Sequence, residues 1–214
     1  MKIIEYEDKY IEDLRNLLVE LEEYIVSIDK DNLDTVGKDY REKMALLDLE
    51  EVRENNGKVY LAISDNKVLG LIMGIERKYS EEDYLDYKCP KAGEITELVV
   101  TQKERSSGVG KALMNKMEEY LKSIGCEYVF VDVFAYNDNA INFYTKDGYH
   151  TRMKAMIKKV VNWNSKCNFE RLNAIVSKKL VPSKGYLYLE HHYTYILKIK
   201  GRDELTKVRP WFFL

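Results

Sequence analysis

Cysteine is scarce in this chain of 214 residues: there are three, Cys89, Cys126 and Cys167. Odd in number and far apart, they exclude a disulfide framework, and no Cys-x-x-Cys or Cys/His cluster has the spacing of a zinc site. Long apolar runs are missing as well. No stretch approaches the roughly 20 residues of a membrane-spanning helix, so no membrane is expected as a partner. Neither sign of charge prevails. Lys and Arg number 34 and Asp and Glu 36, a net charge of −2, which argues against a dedicated nucleic-acid binder. There is no repeat or low-complexity tract, and the opening Met-Lys-Ile-Ile-Glu-Tyr-Glu-Asp does not read as a signal peptide. The expected home is a reducing cytoplasm.

What is plentiful is hydrophobic residue, 45% of the chain, and tyrosine, of which there are seventeen. The first allows a sizeable core, and the second suits wide amphipathic packing surfaces. The length admits one large domain, or one domain with an appendage.

Apolar periodicity orders the elements. Residues 2–6 read as a strand. Asp8 precedes a helix with Tyr10, Leu14, Leu17, Leu18, Leu21, Tyr24 and Ile25 on one face. After a polar break from Asp29 to Gly37, a second helix over about 38–55 is expected to carry Tyr40, Met44, Leu47 and Val52 inward. Strands over 59–64 and 68–75 flank a turn at Asp65-Asn66. The charged, tyrosine-rich segment 76–91 is long for a hairpin loop and has room for one helical turn. Strands at 94–100 and 127–134 bracket a helix ended by Gly125, which predicts a parallel pair joined by a right-handed crossover. A short helix from Asn137 to Asp147 is closed by Gly148, and Tyr149 to about Val161 alternates like a strand. Beyond it, 169–180 reads as a helix, 186–199 as a strand, and 208–214 as an apolar end. The fold class is α/β.

The stretch around which the chain is organised is 94–122. A strand, Glu94-Ile-Thr-Glu97-Leu98-Val99-Val100, leads through a polar loop to a helix. The first turn of such a helix has backbone N–H groups without intrahelical partners, and the helix dipole adds positive potential, so the junction suits an anion. Gly108 and Gly110 let a phosphate approach the backbone, and Arg105 and Lys111 supply charge-assisted donors. A surface turn that binds nothing has the same outline. The spacing excludes two familiar loops. A P-loop requires Ser or Thr after Gly-Lys, and here Gly110-Lys111 is followed by Ala112; a dinucleotide fingerprint requires a third glycine where Leu113 stands.

What is left is Arg105-x-x-Gly108-x-Gly110. This resembles the acetyl-CoA pyrophosphate loop of the GNAT superfamily of N-acetyltransferases, Arg/Gln-x-x-Gly-x-Gly/Ala. Downstream, Asn137-Asp-Asn-Ala140-Ile-Asn-Phe143-Tyr144-Thr-Lys-Asp-Gly148-Tyr149 is similar to that family's Asn-x-x-Ala-x-x-Phe/Leu-Tyr-x-x-x-Gly-Phe. The resemblance covers about residues 1–160. It implies a GNAT-like fold: a central mixed, twisted sheet with splayed parallel strands 4 and 5, flanked by helices. Residues 161–214 would be a C-terminal extension that either completes the sheet or docks on a partner subunit, making a homodimer.

The resemblance also implies acetyl-CoA as cosubstrate and assigns residues to it. The pyrophosphate would lie on Arg105, Ser106, Ser107, Gly108, Val109, Gly110 and Lys111. The pantetheine arm would pair with Leu98, Val99, Val100 and Asn137, with an oxyanion donor at Val99 or Val100. Asn137 reads equally as a helix N-cap. Tyr144 would be the general acid at the sulfur. Glu97 reads either as the base for the amine or as a solvent-facing or structurally paired strand residue. No metal is implied. The acceptor would be a small-molecule or peptide amine, and the acidic residues Asp29, Asp31 and Asp34, with 81–86, would suit a cationic one if they are not simply solvated. A second reading of the whole is a GNAT-like module that binds acyl-CoA without turnover. His150, His191 and His192 read as surface residues, and Cys126 as a small buried hydrophobe.

Overall fold

Five apolar runs pair into one sheet in the computed structural model, which describes residues 1–160. β1 (Lys2–Glu5), β2 (Lys58–Ser64), β3 (Lys67–Glu76), β4 (Ala92–Val100) and β5 (Tyr128–Val131) lie in that order. The first four alternate in direction, whereas β5 runs parallel to β4. A parallel pair needs a crossover, which α4 (Val109–Ser123) provides.

Alternation along the strands gives the sheet two apolar faces. On one, Leu14, Leu17 and Leu18 of α1 (Ile11–Ile28) and Ala45 and Val52 of α2 (Tyr40–Glu54) pack on Val59, Leu61, Leu71, Met73, Ile75 and Val99. On the other, Val109, Leu113, Met114, Met117 and Leu121 of α4, with Tyr144 of α5 (Asp138–Lys146), pack on Tyr60, Ala62, Ile72 and Ile95. The fourth strand departs from strict alternation. Met73 lies opposite Glu97 and Gly74 opposite Ile95, so Thr96 is an extra residue. Because of it Ile95 joins the α4 face while Glu97 and Val99 turn to the α1/α2 face.

Two helices end alike. Gly125 (φ 88°) follows α4 and Gly148 (φ 96°) follows α5, both left-handed. The next amides, of Cys126 and Tyr149, donate back to Leu121 and Tyr144, each at 3.0 Å. This is the double closure for which glycine is favoured after a helix. Between β3 and β4 the expected helical turn is present as α3 (Asp83–Asp86).

Three expectations need correction. Leu47 does not face the core. It is 59% exposed, and the inner face of α2 runs through Ala45, Asp48 and Val52. The reason is that leucines at 46, 47 and 49 allow several apolar registers, and Ala45 is what fits under α1. β5 stops at Val131 rather than 134. Residues 149–160 form no strand: Met156 is 96% exposed, and Met153, Ile157 and Val160 are exposed as well. Alternation makes a strand only where a neighbour takes its hydrogen bonds, and no described strand does. The chain divides into two units, Met1–Arg152 and Met153–Leu214. The helix expected over 169–180, the strand over 186–199, the apolar end and any dimer contact made by them lie outside the described residues.

The helix registers make contrasting stability predictions. Leu17→Ala should cost about 2–5 kcal/mol, whereas Leu47→Ala should stay within about 0.5 kcal/mol. Denaturant unfolding of the two variants measures both, and comparable losses would overturn the assigned register of α2.

Candidate active site

The ladder between β4 and β5 runs only from Ala92 opposite Tyr128 to Ile95 opposite Val131. From Glu97 to Val100, β4 keeps β3 on one side and, among the described residues, has no strand on the other. The Thr101 amide donates to the Leu69 carbonyl at 2.9 Å, which sets the alternation. It turns the peptide groups of Val99 toward β3 and those of Leu98 and Val100 into the gap. Arg105 Nε donates to the Val100 carbonyl at 3.3 Å from that open side. Of the three residues expected to pair with an amide-bearing ligand, Leu98 and Val100 therefore turn backbone groups into the gap, the Val100 carbonyl already holding Arg105, and Val99 contributes a buried side chain.

Beside the gap the loop makes one 3₁₀ turn, Gln102–Glu104, then passes through left-handed Ser106 (φ 65°) and Gly108 (φ 91°). The first helical hydrogen bond of α4 is Ala112 N–H to Gly108 O at 3.0 Å. The amides of Val109, Gly110 and Lys111 thus precede the helical ladder, as anion binding requires. Neither expected cation stands free. Arg105 Nη2 lies 3.6 Å from Glu20 Oε1, and its guanidinium lies over the Tyr24 ring at 4.9 Å. Lys111 Nζ is bound by Asp147 Oδ1. The Asp147 side chain is 9% exposed, and its second oxygen is buried without a partner.

Asn137 serves as the N-cap of α5. Its Oδ1 accepts the Ala140 amide at 3.1 Å and also the Tyr24 hydroxyl at 3.4 Å. Tyr144, 8% exposed, sits between the rings of Phe143 and Tyr149 at 5.2 and 5.6 Å. Burial, and then the nearby charge of Glu97, push its phenol above the ordinary tyrosine value.

Glu97 is not a solvent-facing strand residue, because the extra residue at Thr96 turns it under α1 and α2. Burial and the carboxylates of Asp48, Glu22 and Glu51 push its own carboxyl up to about 8. Burial and Glu51 push Asp48 up to about 6, and its Oδ2 is buried without a partner. The Tyr40 hydroxyl donates to Glu22 Oε2 at 3.4 Å. Sequence reasoning missed this acidic layer. The signal was Asp48, which stands in register with Ala45 and Val52 where an apolar residue belongs. Of the loop acids it singled out, Asp34 adds its charge beside Glu22, and three others are hydrogen-bonded. Asp29 accepts the backbone amides of Asp31, Leu33 and Asp34, and Asp31 accepts the Tyr136 hydroxyl. In 81–86, Asp83 bonds Ser80. A cavity of about 390 Å³ lined by Arg77, Tyr79, Tyr84, Cys89 and Lys91 lies at the opposite end of β4 and holds none of the expected site residues. No group of three or more His, Cys, Asp or Glu among the described residues is arranged to hold a metal ion.

Chemically, the arrangement offers an open strand edge to an amide-bearing ligand, a helix start to an anion, a carboxylate able to take a proton near neutral pH, and a phenol that is protonated at that pH.

A model of the Acetyltransferase (GNAT) family matches residues 13–149. An N-alpha-acetyltransferase of Sulfurisphaera tokodaii is 30% identical over 103 residues, which are 47% of this chain and 61% of that protein, so this chain spans about three-fifths of that relative. Among solved structures, a putative acetyl transferase from Pyrococcus furiosus is similar with a TM-score of 0.56 at 22% identity, covering 74% of this chain and 99% of that one. The aminoglycoside N-acetyltransferase AAC(6')-Iy, solved in complex with CoA, gives a TM-score of 0.53 at 15% identity, covering 75% of this chain and 100% of that one. These two likenesses are of fold.

The environment of Glu97 predicts a pH dependence of stability. A folded-state value of about 8 exceeds the ordinary carboxylate value of about 4.3. The stabilising contribution of the protonated form is complete below the lower value and is lost as pH rises to the upper one. Glu97→Gln keeps the shape and cannot ionise. Its stability relative to wild type should therefore climb across that window, as read by thermal or denaturant unfolding at a series of pH values; a constant difference would overturn the assigned environment.

Proposed function

The chain belongs to the GNAT acetyltransferase family, and from that premise we propose that it moves an acetyl group from acetyl-CoA to a primary amine by direct transfer in a ternary complex. The observation that carries this reading is the parting of β4 and β5 beside the start of α4. It offers an unpaired strand edge to the pantetheine arm and free amides to the pyrophosphate, at the correct side of Glu97 and Tyr144. The pyrophosphate lies on residues 105–111, held by the amides of Val109, Gly110 and Lys111 more than by the side chains of Arg105 and Lys111, which already have partners. The arm pairs with Leu98 and Val100 as an added strand would, and with Asn137.

The acetyl transfer divides among these groups. Glu97 takes a proton from the amine, directly or through a water, and the nitrogen lone pair forms the C–N bond. The Val100 amide is the oxyanion donor, since it points into the gap. As the C–S bond breaks, Tyr144 hydrogen-bonds the developing thiolate, supplies its proton and is reprotonated by the second proton that the nitrogen loses as the tetrahedral adduct collapses. The raised proton affinity of this phenol makes it a firm donor of a hydrogen bond rather than a strong acid.

The acceptor is a cationic amine. The support is the acidic layer of Glu22, Asp48, Glu51 and Glu97, to which Asp34 of the loop adds its charge beside Glu22. N-terminal α-amines and amino sugars, named for the two relatives above, both belong to that class.

Calorimetry tests the cofactor first. Acetyl-CoA should bind, and Ser107→Glu, which adds a negative charge at an exposed loop position, should weaken it at least about tenfold; absence of binding to the wild type would overturn the reading. Tyr144→Phe should keep the affinity and lower kcat by about 10²–10⁴; an unchanged rate would remove the acid role. With a cationic amine, kcat/KM should rise with pH through about 8, and Glu97→Gln should lose that limb.

A further inference from the structure

Where β4 and β5 part, the ladder no longer fixes the width of the gap, and α1 supplies other ties across it. Tyr24 stands near the C-terminal end of α1, partly buried. Its ring lies under the Arg105 guanidinium at 4.9 Å. Its hydroxyl donates to Asn137 Oδ1 at 3.4 Å and accepts from Asn139 Nδ2 at 3.4 Å. One turn earlier, Glu20 Oε1 accepts the Gln102 amide at 2.8 Å and faces Arg105 Nη2 at 3.6 Å. The loop after β4 and the start of α5 are thus tied to the same helix.

We propose that Tyr24 is a positioning residue of the acetyl-CoA site, bracing Arg105 of the loop and Asn137 of α5 and setting which end of the Asn137 amide meets the ligand. This rests on the function proposed above. The polarity follows from hydrogen-bond inventory. Asn137 Oδ1 already accepts twice, from Ala140 N–H and from Tyr24 O–H. Its Nδ2 donates to none of the described residues, so a donor is what Asn137 presents. The matching ligand group is an amide carbonyl, which the pantetheine arm carries and the nucleotide end does not. The two halves of Tyr24 therefore act on different parts of one ligand: the hydroxyl on the arm through Asn137, the ring on the pyrophosphate through Arg105.

The test titrates wild type, Tyr24→Phe and Tyr24→Ala with CoA and with 3′-phospho-ADP, which has the pyrophosphate and lacks the arm, and records a melting temperature for each protein. Tyr24→Phe keeps the ring and loses the hydroxyl. It should bind CoA roughly 3- to 10-fold more weakly, the range for one lost hydrogen bond, and 3′-phospho-ADP as wild type does. Tyr24→Ala should weaken both. Equal CoA binding by wild type and Tyr24→Phe overturns the proposal, as does an equal loss for both ligands in that variant. A loss that follows the melting temperature assigns Tyr24 to the fold alone and also overturns it. If wild type binds neither ligand, the acetyltransferase reading fails and this proposal falls with it; if wild type binds both and only the variant pattern is wrong, that reading stands.

Discussion

Peptide groups on a sheet must find partners, and those of Leu98 and Val100 find none in a neighbouring strand. Leaving backbone polar groups unpaired in a half-buried place costs free energy unless water or a ligand satisfies them. β5 could satisfy them by continuing alongside β4, but its ladder ends opposite Ile95. Every other part of the site is arranged around that open edge. The loop returns Arg105 to the Val100 carbonyl, α4 begins where the gap opens, and α1 reaches over to Asn137. An extended, amide-bearing molecule fits such an edge because it repeats what a strand would have done.

The sheet also separates two chemistries. The face under α1 and α2 gathers Glu22, Asp48 and Glu97 near Glu51; burial and the neighbouring carboxylates make protons hard to remove from the first three. The face under α4 and α5 is apolar and aromatic, and Tyr144 lies in it with its proton firmly held. Acidic groups thus lie on the first face and a protonated phenol on the second, with the gap between β4 and β5 near both.

Much of this was legible in the chain and some was not. The loop motif and the Asn137–Tyr149 motif placed the helix start and Tyr144 because they encode local backbone: left-handed Gly108, the Asn137 cap and the double closure at Gly148. The element order was legible for the same reason. The acidic layer was not, because it assembles from α1, α2 and β4 by packing, and α2 carries no clean apolar stripe to fix its register. The paired state of Arg105 and Lys111 was also hidden, since Glu20 and Asp147 lie far away in sequence. The strand expected after Tyr149 had the right alternation, but alternation reports a preference and not a partner.

The extra residue at Thr96 makes the bulge, and not only the side chains of β4, part of the site. Strict alternation would put Ile95 and Glu97 on one face, since they are two residues apart; the bulge lets them face opposite ways across Gly74 and Met73. Removing Thr96 alone would restore plain alternation and leave both where they are, whereas straightening the strand with Thr96 kept would bring the carboxylate to the apolar α4 face. In this segment a single deletion is therefore a gentler change than the loss of one kink.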